Sequence, residues 1–317
     1  MKLVALGTQG LRVPAVGLGC MGMSEFYGDS SEAQNLRVLD RAAEMGCTFW
    51  DTSDMYGPFT NEVLLSKGLD GRRSRITLAT KFGVVRGADG SWQGIKGGAD
   101  YVRACCDASL KRLKTDYIDL YYQHRPDRQT PIEETVGAMA ELVKAGKVRF
   151  IGLSEADPDT IVRAHAVHPV SALQTEYSLW SRDVEAEILP TLRRLEIGFV
   201  AYSPLGRGFL SGAIRSRADL QPGDWRLGNP RFTEEAITRN LRLVDLVTSI
   251  AKETGQTAAQ VALAWVLSRD VAIAAIPGTR STARLEENWA SQGVALRAEQ
   301  VQRLQDLVGQ GVVGARY

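Results

Sequence analysis

Five short apolar runs in this chain each end on a polar side chain able to do chemistry, and that repetition narrows the folds open to it. Cys47-Thr48-Phe49-Trp50 stops at Asp51, Ile76-Thr77-Leu78-Ala79-Thr80 at Lys81, and Tyr117-Ile118-Asp119-Leu120-Tyr121-Tyr122-Gln123 at His124. Phe150-Ile151-Gly152-Leu153 stops at Ser154, and Val170-Ser171-Ala172-Leu173 at Gln174. A strand of a parallel sheet is buried on both faces and reads as such a run, and catalytic groups collect beyond the carboxyl ends of barrel strands. Polar endings on successive runs therefore predict one shared rim.

Amphipathic helical patterns separate the runs. Ser31-Glu32-Ala33-Gln34 reads as a capping box opening a helix that continues to Gly46. Val102, Cys106, Ser109/Leu110 and Leu113 recur at helical spacing. Thr130-Pro131-Ile132-Glu133 reads as an N-cap with Pro at the first helical position; Val136, Met139, Ala140 and Val143 follow, and Gly146 is the stop. Further helices are predicted from Asp157-Pro158, through Ile188, Leu192 and Leu195, and over 234–254 and 257–268. The second of that last pair opens with the capping box Thr257-Ala258-Ala259-Gln260. Strand–helix alternation with short connections predicts an α/β chain folded as one (β/α)8 barrel over residues 1–317.

Additions to the barrel are also predicted. Residues 2–14, with Gly7 and Gly10 between apolar segments, form a β-hairpin closing the barrel bottom, and Val16 to Cys20 is the first barrel strand. Met23, Phe26 and Tyr27, in the loop from Met21 to Asp29, either face substrate or pack on their neighbours. After Tyr202 no strand signal recurs until Val271, and residues 204–234 read as a long binding loop in which Trp225 and Phe232 are pocket candidates. Ala272 to Pro277 is the last strand, Ser281 caps the helix after it, and an extra helix covers about 298–307.

Bulk properties exclude several classes. Hydrophobic content of 44% and charged content of 24% suit a globular protein, and a formal net charge of +1 without a basic run argues against nucleic acid or a membrane as principal partner. Neither a secretory leader nor a membrane-length apolar run is visible, and the four cysteines, Cys20, Cys47, Cys105 and Cys106, form no Cys-x-x-Cys pair, so reduced thiols and a cytoplasmic location are expected. The three histidines show no metal-type spacing.

The rim residues point to a proton donor for a carbonyl. A free phenol has a pKa of about 10 and is a poor acid at neutral pH. An adjacent Lys81 ammonium favours the phenolate of Tyr56, a buried Lys81 needs Asp51 as counter-ion, and His124 can orient the substrate oxygen. Asp51-Thr52 with Tyr56-Gly57, Thr80-Lys81, Gln123-His124, Gly152-Leu153-Ser154, Gln174, Tyr202-Ser203-Pro204-Leu205-Gly206, and Ile276-Pro277-Gly278-Thr279 with Arg284, Glu287 and Asn288 occur in one order along nearly the whole chain. In these pieces the chain strongly resembles the aldo-keto reductase superfamily. The resemblance implies NADPH-dependent reduction of aldehydes or ketones to alcohols, with Asp51, Tyr56, Lys81 and His124 as the catalytic tetrad.

No Gly-x-Gly-x-x-Gly follows a first strand, so a Rossmann domain is not supported. Gly278-Thr279-Arg280-Ser281 instead joins the last strand to a helix, where barrels commonly hold phosphate, and Arg280 and Arg284 there oppose the helix dipole unless an anion binds. The resemblance implies that Arg280, Ser281 and Arg284 hold the adenosine phosphate of NADPH and that Glu287 and Asn288 contact adenine. It likewise assigns Ser154 and Gln174 to the nicotinamide carboxamide, Tyr202 to stacking on the ring, and Ser203, Leu205 and Arg207 to the pyrophosphate. Two positions depart from the common pattern: Gly278 stands where many members carry Lys, leaving Arg280 as the replacement cation, and Glu155 where many carry Asn. Two rival readings stay open on sequence alone: a nicotinamide-sensing regulatory subunit and a barrel lyase or isomerase. The substrate and the oligomeric state are not legible.

Overall fold

Two short strands, β1 (Leu3–Leu6) and β2 (Leu11–Pro14), pair antiparallel as a hairpin before the main sheet begins. The computed structural model describes residues 2–28, 30–87, 89–269, 272–309 and 311–316. Asp29 and Val271, at the edges of the first rim loop and the last strand, lie outside the described residues. The main sheet starts with β3 (Leu18–Gly19), β4 (Phe49–Asp51) and β5 (Thr77–Phe82). A second hairpin follows, β6 (Val84–Arg86) with β7 (Trp92–Ile95), and the sheet resumes with β8 (Ile118–Gln123), β9 (Val148–Ser154), β10 (Ala172–Glu176), β11 (Gly198–Tyr202) and β12 (Ile273–Ala275).

Among the described residues the sheet has eight strands, all pairs parallel, in the order β12-β11-β10-β9-β8-β5-β4-β3. Parallel bridges Val16–Ala275 and Gly19–Gly278 bring its two edges together, with the Gly17 N–H donating to the Ala275 carbonyl at 2.8 Å. The architecture is the expected (β/α)8 barrel. Glycine at the seam has a steric reason. A Cβ on Gly17 would lie 2.7 Å from the Phe49 carbonyl oxygen, and one on Gly19 2.7 Å from that of Ile276.

Helices α1 (Glu32–Met45), α2 (Thr60–Leu69), α3 (Ala99–Leu113), α4 (Ile132–Lys144), α5 (Pro158–Val167) and α6 (Ile188–Arg194) alternate with the strands. Then come α7 (Glu234–Thr254), α8 (Ala258–Leu267), α9 (Thr282–Ala290) and α10 (Ala298–Gly309). Asp157, Thr257 and Ser281 cap their helices through side-chain oxygens, and the Thr257/Gln260 box is complete. Two expected caps do not form. Ser31 makes no side-chain cap bond, and the Gln34 side chain, the other half of the expected box, donates 2.7 Å to the Arg280 carbonyl. Thr130 turns its hydroxyl to Asp127 at 2.8 Å, and α4 starts two residues later. The stretch after Tyr202 is not structureless: Gly206–Ser211, Arg217–Asp219, Trp225–Gly228 and Pro230–Phe232 form 3-10 turns. Phe232, a pocket candidate by sequence, is fully buried against Trp180 and Phe209. It anchors that stretch to the core. Among the described residues no helix is long and apolar enough to cross a membrane.

Inside the barrel, Leu6, Leu11 and Val13 of the first hairpin pack with Phe49, Ala79, Leu120, Ala172, Val200 and Ala274. The hairpin is thus a plug at the amino ends of the strands, opposite the rim. A Cβ on Gly198, the first residue of β11, would lie 2.6 Å from the Leu6 Cα and 2.5 Å from its side chain. Backbone there cannot yield freely, so Gly198→Ala is expected to destabilise the fold by about 1–3 kcal/mol. A denaturant midpoint equal to that of the unaltered protein would contradict this contact.

Candidate active site

The rim at the carboxyl ends of the strands gathers all four tetrad candidates. Asp51 ends β4, Lys81 lies in β5 one residue from its end, His124 directly follows β8, and Tyr56 stands on the loop after β4. Register places Asp51 beside Ala79 and Lys81 beside Tyr122, so adjacent strands deliver these groups at similar height. Lys81 is fully buried. An ammonium taken from water needs compensation, and its Nζ donates to Asp51 Oδ1 and, at 2.8 Å, to the Thr52 carbonyl. Gln174 Nε2 donates 2.7 Å to the other Asp51 oxygen. The Lys81 Nζ also lies 5.3 Å from the centre of the Tyr56 ring, and that ring meets His124 edge-on at 5.8 Å.

Burial and neighbouring charges set the protonation states. Burial pushes the Tyr56 phenol above its ordinary pKa; Lys81 and Arg125 pull it down, and Asp51 pushes it up. Lys81 thus acts in the direction read from sequence, yet burial outweighs it and the phenol keeps its proton. Burial also opposes the Lys81 charge, but Asp51 and Tyr56 together hold its pKa above the usual lysine value. Burial drives the Asp51 carboxyl upward, while both of its oxygens accept from N–H donors, the arrangement of a carboxylate. Burial, then Arg125 and Lys81, hold His124 well below the usual imidazole range, so it is neutral.

A supporting shell escaped the sequence reading. Ser53 Oγ lies 3.0 Å from His124 Nδ1. Asn61, on α2, accepts from Thr52 Oγ1 at 2.6 Å and donates to the Cys20 carbonyl at 2.9 Å and Ser24 Oγ at 2.8 Å. It fastens both ends of the loop carrying Tyr56. Behind that loop the buried Glu62 accepts from Thr80 at 2.7 Å and Arg112 at 2.6 Å. Arg125 bridges the His124 carbonyl at 2.7 Å and Ser154 Oγ at 3.2 Å. A cavity of about 570 Å³ adjoins the rim beside Arg125 and Glu155 but includes none of the tetrad. Met23 packs into the core, whereas Phe26 and Tyr27 stay half-buried.

The cofactor candidates fall into two groups. Ser154 ends β9, whereas β10 runs two residues past the expected end at Gln174, to Glu176, and the two side chains join the tetrad through Arg125 and Asp51. Tyr202 ends β11 and donates 2.9 Å to Glu155 Oε1. Ser203 and Arg207 both have positive φ, Leu205 packs against the core, and Arg207 donates 2.9 Å to Glu176. The second group lies at the barrel seam. Gly278 bridges to Gly19, Thr279 Oγ1 accepts from the Ser281 N–H at 3.0 Å, and Arg280 donates to the carbonyls of Tyr27 and Gly28 at 2.7 and 3.1 Å. Ser281 caps α9, Arg284 is exposed in its first turn, Glu287 is half-buried and Asn288 is buried. No acidic residue occupies that first turn. A helix start with two guanidinium groups and no carboxylate has the donor chemistry for a phosphate, so these residues fit a phosphorylated dinucleotide.

Comparisons with known proteins converge. The model of a family described as the aldo/keto reductase family matches residues 15–308. A soybean (Glycine max) protein named probable aldo-keto reductase 1 is 45% identical over 318 residues, spanning 99% of this chain and 91% of the relative. Among solved structures, a thermostable aldo-keto reductase in complex with the inhibitor epalrestat shares 30% identity at a TM-score of 0.79, covering 97% of this chain and 100% of that one. An aldo/keto reductase from Klebsiella pneumoniae in complex with NADP and acetate shares 28% at a TM-score of 0.75, over 97% and 95%. A glycerol dehydrogenase from Gluconobacter oxydans superposes with a TM-score of 0.88 at 24% identity over 97% and 95%, a likeness of fold.

The supporting shell has a measurable signature. Burial, reinforced by Glu62, pushes the Asp54 carboxyl up to about 8. An unfolded Asp titrates near 4 (about 3.9), so between these values the folded chain binds the extra proton and stability falls as pH rises. In Asp54→Asn that slope is absent, and the variant should gain on the unaltered protein by up to about 1.4 kcal/mol per pH unit between about pH 5 and 8. Parallel urea-unfolding curves for the two proteins across that range would disprove the buried acid.

Proposed function

The chain belongs to the aldo/keto reductase family, and from that premise we propose that it reduces aldehydes or ketones to alcohols with NADPH, Tyr56 being the proton donor. Membership itself implies nicotinamide-dependent carbonyl reduction. The observation that carries the finer reading is the fully buried Lys81 ammonium, bonded to Asp51 and lying 5.3 Å from the Tyr56 ring centre. A reduced nicotinamide bound at this rim supplies the hydride for the carbonyl carbon. Tyr56 gives its hydroxyl proton to the carbonyl oxygen. Lys81 stabilises the phenolate left behind, and Asp51 keeps Lys81 charged through the exchange. Neutral His124 offers a ring N–H to the same oxygen and orients it without adding charge.

The chain's own residues also divide the cofactor between them. Ser154 and Gln174 hold the carboxamide, Tyr202 stacks on the ring, and Ser203, Leu205 and Arg207 line the pyrophosphate. Gly278, Thr279, Arg280, Ser281 and Arg284 take the adenosine phosphate, with Glu287 and Asn288 on adenine. Support comes from the acid-free start of α9 and from the relative in complex with NADP. The substrate is a small carbonyl compound.

A panel of aldehydes and ketones assayed with NADPH and NADH in parallel tests the reading, and cofactor binding without turnover of any carbonyl would refute it. Tyr56→Phe should lower turnover by orders of magnitude while leaving NADPH affinity nearly intact; comparable turnover would remove Tyr56 from the role of acid. Arg280→Ala and Arg284→Ala should weaken NADPH far more than NADH, and equal weakening of both would exclude a contact with the 2′-phosphate.

A further inference from the structure

The segment 311–316 folds back over the rim and brings an arginine to the residues assigned to the nicotinamide. Its path is pinned at several points. Asn240 donates 2.8 Å to the Val313 carbonyl and accepts 3.0 Å from its N–H, and Asn229 donates 3.2 Å to the Arg316 carbonyl. Gly314 adopts a φ of +94°, and a Cβ there would lie 2.8 Å from the Arg231 Cα. The strap therefore lies flat on residues 230–231.

Arg316 reaches two carboxylates and a phenol. Its Nε donates 3.1 Å to Glu176 Oε2, and its Nη2 donates 2.7 Å to the Tyr202 hydroxyl oxygen and also to Glu155 Oε1. That Glu155 oxygen also accepts from the Tyr202 hydroxyl at 2.9 Å and the Glu176 N–H at 3.2 Å. Glu155 holds a φ of +56°, a left-handed conformation that a glutamate adopts only under constraint. Across the cluster Glu176 also pairs with Arg207 at 2.9 Å and Arg231 at 3.4 Å. Three guanidinium groups thus meet two carboxylates at the end of the strand carrying Tyr202.

We propose that Arg316 and Glu155 are positioning residues of the nicotinamide pocket: Arg316 locks the Tyr202 ring, and the two opposite charges set the relative affinity for oxidised and reduced cofactor. This rests on the reading above that Tyr202 stacks on the nicotinamide. A purely stabilising role is a weak explanation, since ion pairs withdrawn from water return little net stability. Charge beside the ring has a distinct consequence. The oxidised nicotinamide carries one more positive charge than the reduced form, so Glu155 favours it and Arg316 disfavours it. A single charge at contact range in a partly solvated site changes such a ratio by roughly threefold to tenfold.

Dissociation constants for NADP+ and NADPH, measured by titration calorimetry on the full chain and on Arg316→Ala and Glu155→Gln, test the proposal. Arg316→Ala should move the affinity ratio toward NADP+ by roughly threefold to tenfold, and Glu155→Gln toward NADPH by a similar factor. Arg316→Lys should restore most of the original ratio. Loosened structure would weaken both forms alike and cannot move the ratio in opposite directions. If Arg316→Ala fails to fold, Arg316→Gln carries the same charge change. Ratios that stay put, or that move the same way in both variants, would overturn the proposal while leaving the reductase reading intact. An unaltered protein that binds neither form would sink that reading, and this proposal with it.

Discussion

A positive charge sealed inside an apolar barrel is the constraint around which the rest is arranged. Lys81 has no solvent to stabilise its ammonium, so the fold must supply a carboxylate and further oxygens at fixed positions. Asp51 and the Thr52 carbonyl do so, and Gln174 fixes the second carboxylate oxygen from the far side of the barrel. These groups come from β4, β5 and β10, so the arrangement cannot be held unless the sheet closes in register. Removing one member of such a pair leaves the other charge uncompensated, typically a loss of about 3–5 kcal/mol.

Closure is secured away from the chemistry. Gly19 lets the first strand approach the residues that follow the last, Gly17 lets the chain just ahead of that first strand pass close to Phe49, and the hairpin β1–β2 fills the opposite end of the barrel. Packing is thus concentrated at one end, leaving the rim to polar residues. The loop bearing Tyr56 would otherwise be the least constrained part of that rim, and Asn61 ties it to Cys20, Ser24 and Thr52 at once.

What was legible in the sequence were the features written locally. Apolar runs ending at Asp51, Lys81, His124 and Ser154 mark strand ends to within a residue, because burial on both faces disfavours polar residues within a parallel strand. Strand β10 instead runs on past Gln174 to Glu176, and β8 carries a buried Asp119 held by partners of its own. Caps were less secure, since a side chain within reach of a helix start can be claimed from outside, as Gln34 is by Arg280. The hairpin β6–β7 carried a signal that the reading passed over, the Asp89-Gly90 pair between two extended segments. Helix α2 is buried at several polar positions, including Asn61, Glu62 and Ser66, which blurs its apolar stripe. The protonation of Tyr56 was illegible for another reason. Proximity to Lys81 can be guessed from residue types, but the burial that outweighs it belongs to the assembled barrel.

Glu155 shows how a single departure from a familiar pattern acquires meaning only in three dimensions. A carboxylate cannot donate a hydrogen bond as an amide does, and uncompensated it would sit at the rim as a negative charge beside the Tyr202 ring. Its compensation comes from Arg316, so remote in sequence that no periodicity or motif connects the two. The rim therefore holds two charge systems of different character. Lys81 with Asp51 is sealed and lies beside the Tyr56 ring. In the outer cluster Glu176 is as buried as Asp51, whereas Glu155 and Arg316 keep an edge to solvent, where charges interact more weakly and adjust more easily. A site built this way keeps two arrangements apart: the inner pair is fixed by bonds among β4, β5 and β10, and the outer cluster ties Tyr202 and Arg207 of the loop after β11 to Glu155 and Glu176.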